Sequence, residues 1–141
     1  MTTYSIKKVS EMMHMPSSTL RYYEKIGLLT NVTRDRNGLR QYTDEHLKRL
    51  EGIKCFKDGG MPIAKIYEFY QYDDNLTEHI DDMINLVVNH EKDLAKQITL
   101  MQQQLLHIQQ KIRFYYGIKE AINQHKPWPK FEDFASKDEH L

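Results

Sequence analysis

Apolar side chains in the first half of the chain recur at helical spacing and predict four short helices. These helices cover residues 6–13, 16–26, 44–58 and 62–73. Ser5 is a suitable N-cap for the first helix, and Gly27 is a suitable end for the second. Because only two residues separate the first two helices, their dimensions indicate a helix-turn-helix.

A hairpin signal interrupts the helical pattern between the second and third helices. Asn37-Gly38 is a strong signal for a tight hairpin turn, and residues 28–34 and 39–42 on either side can pair as strands. This segment therefore predicts a small β-hairpin, or wing, beside the helix-turn-helix.

A narrow apolar stripe, called the seam below, follows the N-terminal half. Steps of four and three residues place apolar or aromatic side chains at ten of its eleven positions, and a 3.5-residue period over about five heptads is typical of a long helix that pairs with another helix. At about 1.5 Å per residue, the seam would span roughly 50 Å. Since no second helix of that length is predicted, the pattern favours a homodimer over an intramolecular bundle. The seam positions are Ile80, Ile84, Val87, Glu91, Leu94, Ile98, Met101, Leu105, Ile108, Ile112 and Tyr115.

The formal net charge of zero hides a strong asymmetry along the chain. Residues 1–60 hold eleven Lys/Arg and seven Asp/Glu, a formal charge of +4, whereas residues 61–141 hold nine and thirteen, a formal charge of −4. A basic first half indicates a polyanionic partner for that part of the chain. The mean hydropathy of -0.71 and the lack of a long apolar run argue against a membrane span, and no secretory signal is evident, so we expect a cytoplasmic protein.

The pattern predicts a mainly α fold, in which a winged helix-turn-helix DNA-binding domain is followed by a long coiled-coil dimerisation helix. The three parts are residues 1–75, residues 76–116 and a short tail at residues 117–141. Aromatic residues in the tail either anchor it to a partner surface or belong to a loosely docked terminus. They are Trp128, Phe131 and Phe134.

Three motifs carry a specific resemblance to a known family. They are the segment Thr19–Leu29 (TLRYYEKIGLL), the wing from Arg34 to Tyr42, and Gly60–Ile63 (GMPI). In order from Tyr4 to about Tyr70, the chain resembles the MerR family of transcription regulators. The resemblance implies an antiparallel homodimer that bends and untwists double-stranded promoter DNA when an effector arrives, so that RNA polymerase can engage the promoter.

Two positions depart from the family pattern. His14 stands where many relatives have glycine in the helix-turn-helix, and Pro16 stands where a capping serine is common. Neither change threatens the fold, but both would alter the angle at which the second helix enters DNA.

The second helix and the wing supply the candidate DNA contacts. Hydroxyl, guanidinium and phenol groups on the second helix suit a major groove, with Arg21 and Tyr22 as leading contacts, and the wing with Lys65 suits backbone phosphates. Arg36 at the turn is either a phosphate contact or a solvated side chain. Glu24 is expected to pair with a nearby arginine, and the Leu20 and Tyr23 side chains are expected in the core. The candidate DNA-binding residues are Ser17, Ser18, Thr19, Arg21, Tyr22, Arg34, Arg36, Arg40, Tyr42 and Lys65.

Cys55, the only cysteine, lies off the apolar stripe of the third helix, which consists of Leu47, Leu50, Ile53 and Phe56. Lys48 on the same side would favour the thiolate, whereas the nearby helix C-terminus would oppose it. The segment around Cys55 resembles a MerR subgroup that answers thiol-reactive electrophiles, such as aldehydes, through one cysteine at this place. Cys55 is therefore either an effector sensor or an inert small hydrophobe.

Other chemistries find no support in the sequence. One cysteine excludes an internal disulfide and the paired-cysteine metal site that the resemblance implies for metal-sensing relatives. No Gly-rich phosphate loop or catalytic constellation is present, so we expect neither an enzyme nor a cofactor. The alternatives are a coiled-coil interaction adaptor without DNA affinity and a MerR-type regulator that senses a non-covalent ligand.

Overall fold

The computed structural model describes residues 2–135 and is mostly helical, with one small hairpin. Its order of elements confirms the predicted helix-turn-helix, wing and long helix. The elements are α1 (Ile6–Met13), α2 (Ser17–Lys25), β1 (Thr33–Arg34), β2 (Arg40–Gln41), α3 (Asp44–Asp58), α4 (Ile63–Asp74), α5 (Leu76–Asn123) and a 3-10 turn (Phe131–Phe134).

Local interactions at both ends of α1 determine where the helix begins and where the turn to α2 starts. The Ser5 hydroxyl accepts the backbone N–H of Lys8 at 3.1 Å, which caps the first turn as predicted. At the other end, His14 adopts a left-handed conformation with φ 53°. Glycine adopts this conformation at little cost, which explains why a glycine suits this position in many members of the family that the chain resembles.

The wing is a two-residue antiparallel ladder closed by a short turn. Thr33 pairs with Gln41 and Arg34 pairs with Arg40. The Asp35 carboxylate accepts the backbone N–H groups of Asn37 at 2.8 Å and of Leu39 at 3.0 Å, which holds the turn together.

A single apolar core joins α1 to α4 with the wing. The core contains Leu20 and Tyr23, as predicted, and the fully buried Leu28, Leu50 and Ile53. Further members are Val9, Met13, Leu29, Tyr42, Met61, Ile66 and Tyr70.

The start of α3 carries a reciprocal cap that uses a buried histidine. Thr43 is the N-cap, and its backbone N–H donates to Nδ1 of His46 at 2.9 Å. Nε2 of His46 lies 2.7 Å from the carbonyl oxygen of Thr30, so Nε2 carries the proton and donates to that carbonyl. This cap ties the loop after α2 to the first turn of α3.

Two compact units divide the chain, one from Met1 to His90 and the other from Glu91 to Leu141. In the first unit α5 begins at Leu76 with a kink at His79 (φ -123°, ψ 21°), and Met83 is buried. Within that unit the His90 ring also packs edge-on against Phe56 at 6.1 Å between ring centroids.

In the second unit α5 does not end near Tyr116, where we predicted the end of the dimerisation helix, but continues through Gly117 to Asn123. The missing side chain of Gly117 leaves room for the tail to pack against the helix, because a Cβ atom there would lie 2.7 Å from Cζ of Phe134. The Phe114 ring contacts those of Phe131 and Phe134 at centroid distances of 5.5 and 6.2 Å. The anchor of these two tail aromatics is therefore the chain's own helix.

Candidate nucleic-acid interface

One face of α2 presents polar side chains to solvent. Ser18, Arg21 and Tyr22 are exposed, while Ser17 and Thr19 are half-buried. The opposite face supplies Leu20 and Tyr23 to the core, so packing fixes which α2 side chains point outward. Hydroxyl and guanidinium groups on an exposed helix face can read base edges in a major groove.

The basic residues of the wing lie around its tip. Arg34 and Arg36 are exposed, and Nη1 of Arg34 donates to the carbonyl oxygen of Gly38 at 2.9 Å. This hydrogen bond holds the Arg34 guanidinium against the hairpin, where its other N–H groups remain free to meet a phosphate.

Glu24 links the exposed helix to the wing. One oxygen of its carboxylate accepts Nε of Arg40 and the hydroxyl of Tyr42, both at 2.8 Å. This confirms that Glu24 pairs with a nearby arginine. The sequence did not indicate the second bond, from Tyr42, because the two residues are eighteen positions apart.

The structure corrects the placement of Tyr42 among the DNA-binding residues. Its side chain is fully buried in the core, so it cannot contact DNA. Burial, together with the hydrogen bond to Glu24, raises the pKa of the Tyr42 phenol far above its usual value of 10. Tyr42 therefore stabilises the wing from within the core, through its hydrogen bond to Glu24. Arg40, on β2, is half-buried beside the same carboxylate.

Lys65 is exposed near the start of α4, as the sequence suggested, but it has a local partner. Its Nζ lies 3.1 Å from the Glu68 carboxylate. The hydroxyl of Tyr72 also donates to Glu68 at 2.6 Å, and these two contacts lower the pKa of the Glu68 carboxyl. A phosphate at Lys65 would compete with a carboxylate that is already in place.

Cys55 is exposed on α3, which confirms that it lies off the buried stripe. That stripe consists of buried Leu50 and Ile53 with half-buried Leu47 and Phe56. Among residues 2–135, no group of His, Cys, Asp and Glu side chains is arranged to hold a metal ion. In the same range, no helix is long and apolar enough to cross a membrane.

Sequence comparisons with known proteins find relatives that are HTH-type transcriptional regulators. The sequence model of the MerR HTH family of regulatory proteins matches residues 4–73. An uncharacterized HTH-type transcriptional regulator of Haemophilus influenzae is 33% identical over 117 residues, which cover 83% of this chain and 87% of that protein. The HTH-type transcriptional regulator AdhR of Bacillus subtilis is 37% identical over 65 residues, 46% of each chain.

Solved structures extend the similarity beyond the N-terminal half. HiNmlR, a MerR family regulator lacking the sensor domain and crystallised bound to promoter DNA, matches with a TM-score of 0.77 and 33% identity, covering 84% of this chain and 90% of that one. A MerR family regulator from Bacillus thuringiensis matches with a TM-score of 0.68 and 36% identity, covering 79% and 98%. Both similarities extend beyond the winged helix-turn-helix into α5, because residues 1–75 alone make up little more than half of the chain.

Proposed function

Because the chain belongs to the MerR family of DNA-binding transcription regulators, we propose that it acts as a homodimer that switches a promoter in response to an effector. Members of this family are regulators and not enzymes, which confirms the prediction that the chain is not an enzyme. Its partners are then double-stranded promoter DNA, a second copy of the chain and RNA polymerase, and its place of action is the cytoplasm.

The exposed face of α2 beside a basic wing is the observation that carries the DNA-binding part of this proposal. Arg21 and Tyr22 point outward from the helix, and Arg34 and Arg36 extend from the wing. In this arrangement α2 enters the major groove, and the wing contacts phosphates alongside it. HiNmlR was crystallised on promoter DNA, and its similarity to this chain supports the same use of these elements.

The exposed seam of α5 supports the homodimer. Nine of its ten apolar residues are exposed in the single chain, from 37% at Val87 to 72% at Met101, and Leu94 is half-buried. A continuous apolar stripe of this length is unfavourable in water, and pairing with the same stripe of a second copy removes it from solvent. The pairing brings two copies of α2 into one dimer, as recognition of two half-sites requires.

The output we propose is a change in DNA shape. In this mechanism the dimer holds a promoter whose spacer is too long for RNA polymerase and, when the effector arrives, bends and untwists it. Bending a site of 20–30 base pairs by 40–90° costs about 1–6 kcal/mol, which two DNA-binding domains held by a stiff paired helix can supply through their backbone contacts.

Replacing Arg21 with alanine tests the DNA interface. We expect operator affinity to fall by about 1–3 kcal/mol, the usual worth of a bidentate arginine on a base, with thermal unfolding unchanged because Arg21 is exposed. Lys119→Ala removes the same charge from an exposed position near the end of α5 and is the matched control. The duplex is selected from a randomised library by the wild-type protein. If no duplex is enriched, the coiled-coil adaptor replaces this proposal.

For the effector, we propose a thiol-reactive electrophile that is sensed by Cys55. The exposure of the thiol on α3 supports this, because an electrophile can reach it without unfolding the domain. With an aldehyde, sulfur bonds to the carbonyl carbon, the carbonyl π bond opens, and the thiol proton passes to the oxygen to give a hemithioacetal. The adduct adds bulk and polarity beside Gly52, the position where Tyr70 of α4 packs against α3. A stress-response role follows.

A promoter reporter distinguishes this sensor from an inert cysteine. Cys55→Ser is expected to keep operator affinity and to abolish the response to formaldehyde or a quinone. A full response in the variant removes Cys55 from the mechanism and favours a non-covalent ligand near the dimer helices.

A further inference from the structure

The buried ring of His46 bonds to the chain both before and after the wing. Before the wing, Nε2 of His46 lies 2.7 Å from the carbonyl oxygen of Thr30, and after it, Nδ1 lies 2.9 Å from the backbone nitrogen of Thr43. Residues 31–42, between these two contacts, contain both strands and the turn of the wing. One imidazole therefore fastens the two ends of the wing segment to the first turn of α3.

The ring makes both contacts only when it is uncharged. Nδ1 has to keep its lone pair to accept the Thr43 N–H, while Nε2 carries the single ring proton and donates it to the Thr30 carbonyl. A second proton on Nδ1 would point at the Thr43 N–H, so two donors would face each other. The Thr43 hydroxyl, whose oxygen lies 3.1 Å from Nδ1, can turn to accept the new proton, but the backbone N–H then loses its acceptor.

The position of the ring also disfavours a positive charge. His46 is 7% exposed and forms no ion pair with any residue between 2 and 135. It lies in the first turn of α3, where the positive end of the helix dipole opposes a further positive charge. Protonation of the ring is therefore coupled to its release from the two contacts.

The other titratable groups in the elements around the ring have partners of their own or face solvent. The Tyr42 ring packs edge-on against the imidazole at 5.9 Å between centroids, with its hydroxyl on the Glu24 carboxylate. The Asp44 carboxylate accepts the Tyr4 hydroxyl at 2.8 Å. The complete set is Tyr4 before α1, Glu24 of α2, Arg40 of β2, Tyr42, and Asp44, Glu45 and Arg49 of α3.

We propose that His46 is a proton-sensitive clamp that positions the wing for DNA, and that acidification opens it. A free imidazole takes up a proton below about pH 6.5, so a falling pH favours the released ring over the clamped one. The wing segment then loses the contacts at both of its ends, and a mobile wing has to be ordered again before Arg34 and Arg36 can meet phosphates. This inference rests on the proposed DNA-binding function and adds a control of that function by pH.

A capping residue does not itself need to titrate, which provides a matched variant. Thr43 and His46 occupy the N-cap and N3 positions of a capping box, in which N3 is usually Glu or Gln. A glutamine at this position accepts the Thr43 N–H through its amide oxygen and does not change charge with pH. His46→Gln therefore keeps the cap and removes the proton site.

Amide hydrogen exchange of the free protein measures the clamp without DNA. After correction for the intrinsic rate, it gives the equilibrium constant for opening of the Thr43 amide and of the wing ladder. A site that takes up a proton only when it is open should open about tenfold more at about pH 5.5 than at about pH 7.5. His46→Gln should change by less than about twofold over this range. His125→Gln removes an exposed histidine of the second unit and should behave like the wild type.

DNA affinity shows whether the clamp acts on function. The probe is the duplex that the wild-type protein selects from a randomised library. Between about pH 7.5 and 5.5, the ratio of wild-type affinity to His46→Gln affinity should fall by about three- to tenfold. The ratio cancels the general gain of positive charge from the other histidines, because both proteins share them.

Nitrogen NMR of the histidine-labelled wild type reports the ring directly, even if His46→Gln is unstable. We expect the Nε2-protonated tautomer at neutral pH, and one common midpoint for ring protonation and for loss of wing protection. A ring that gains its proton while the exchange of the wing amides stays constant overturns the clamp, and so does an unchanged affinity ratio. If the wild type selects no duplex, the DNA-binding function fails instead, and exchange in the free protein tells the two failures apart.

Discussion

The Glu24 carboxylate links α2 to the wing, and its removal is expected to weaken both the fold and DNA binding. Its side chain is 19% exposed, that of Arg40 is 23% exposed, and Tyr42 is fully buried. A hydrogen bond to a charged acceptor contributes about 1.5–3 kcal/mol, and a buried hydroxyl left without a partner costs about 1–3 kcal/mol.

The ion pair with Arg40 adds less, because partial solvation of both groups limits such pairs to about 1 kcal/mol or below. We therefore expect Glu24→Ala to lower the free energy of unfolding by about 2–4 kcal/mol. Tyr42→Phe keeps the buried ring and loses only the hydroxyl, so it should cost about 1–2 kcal/mol. In the double variant no buried hydroxyl is left without a partner, and its cost should fall short of the sum of the single costs by about 1–2 kcal/mol.

Urea denaturation followed by circular dichroism measures these differences, with all variants at one protein concentration because the unfolding of the proposed homodimer would depend on concentration. Glu51→Ala, an exposed carboxylate on α3, is the control and should change stability by less than about 0.5 kcal/mol. Additive costs in the Glu24 and Tyr42 variants would show that the two groups do not interact, and would refute the placement of Tyr42 as a support of the wing.

Three further outcomes follow from the seam, the tail and the buried phenol. Leu105→Lys should shift the protein to monomer in sedimentation velocity, because a charge in the seam loses its hydration without gaining a partner. Gln104→Lys, at an exposed position beside the seam, should leave the dimer intact. An intact dimer of the Leu105→Lys variant would contradict the seam as the interface. Gly117→Ala should raise amide hydrogen exchange in residues 131–134, because the new Cβ displaces Phe134, and unchanged exchange contradicts that contact. Because the pKa of Tyr42 is raised in the folded state, its phenol contributes fully to stability below pH 10 and loses this contribution as the pH rises above 10. Between about pH 10 and 12, the free energy of unfolding of Tyr42→Phe should therefore fall less than that of the wild type.

Local signals were enough to predict the framework of the DNA-binding domain. Ser5 caps α1 through an atom three residues away, and the turn at Asn37-Gly38 depends on the positive φ of Gly38 and on the nearby Asp35 carboxylate. Leu20 and Tyr23 could be assigned to the core because two apolar positions three residues apart share one helix face.

The exposure of the candidate DNA-contacting side chains could be predicted where it depends on one helix alone. The exposure of Arg21 and Tyr22 follows from the burial of Leu20 and Tyr23 on the other side of α2. The role of Tyr42 was not predictable in this way. Tyr42 directly follows a two-residue strand, whose alternation is too short to identify a buried face, and packing against the core formed with the four helices decides that its side chain points inward.

The sequence by itself therefore determined the order of the elements, the basic first half and the long apolar seam of α5, since each depends on residues that are close along the chain or repeat at a constant period. The tertiary structure alone decided which polar groups meet across long separations. Glu24 meets Tyr42, Gly117 accommodates Phe134, and the His46 ring meets the Thr30 carbonyl. Such pairs are set by the packing of whole elements against one another, and no local preference of either residue records that packing.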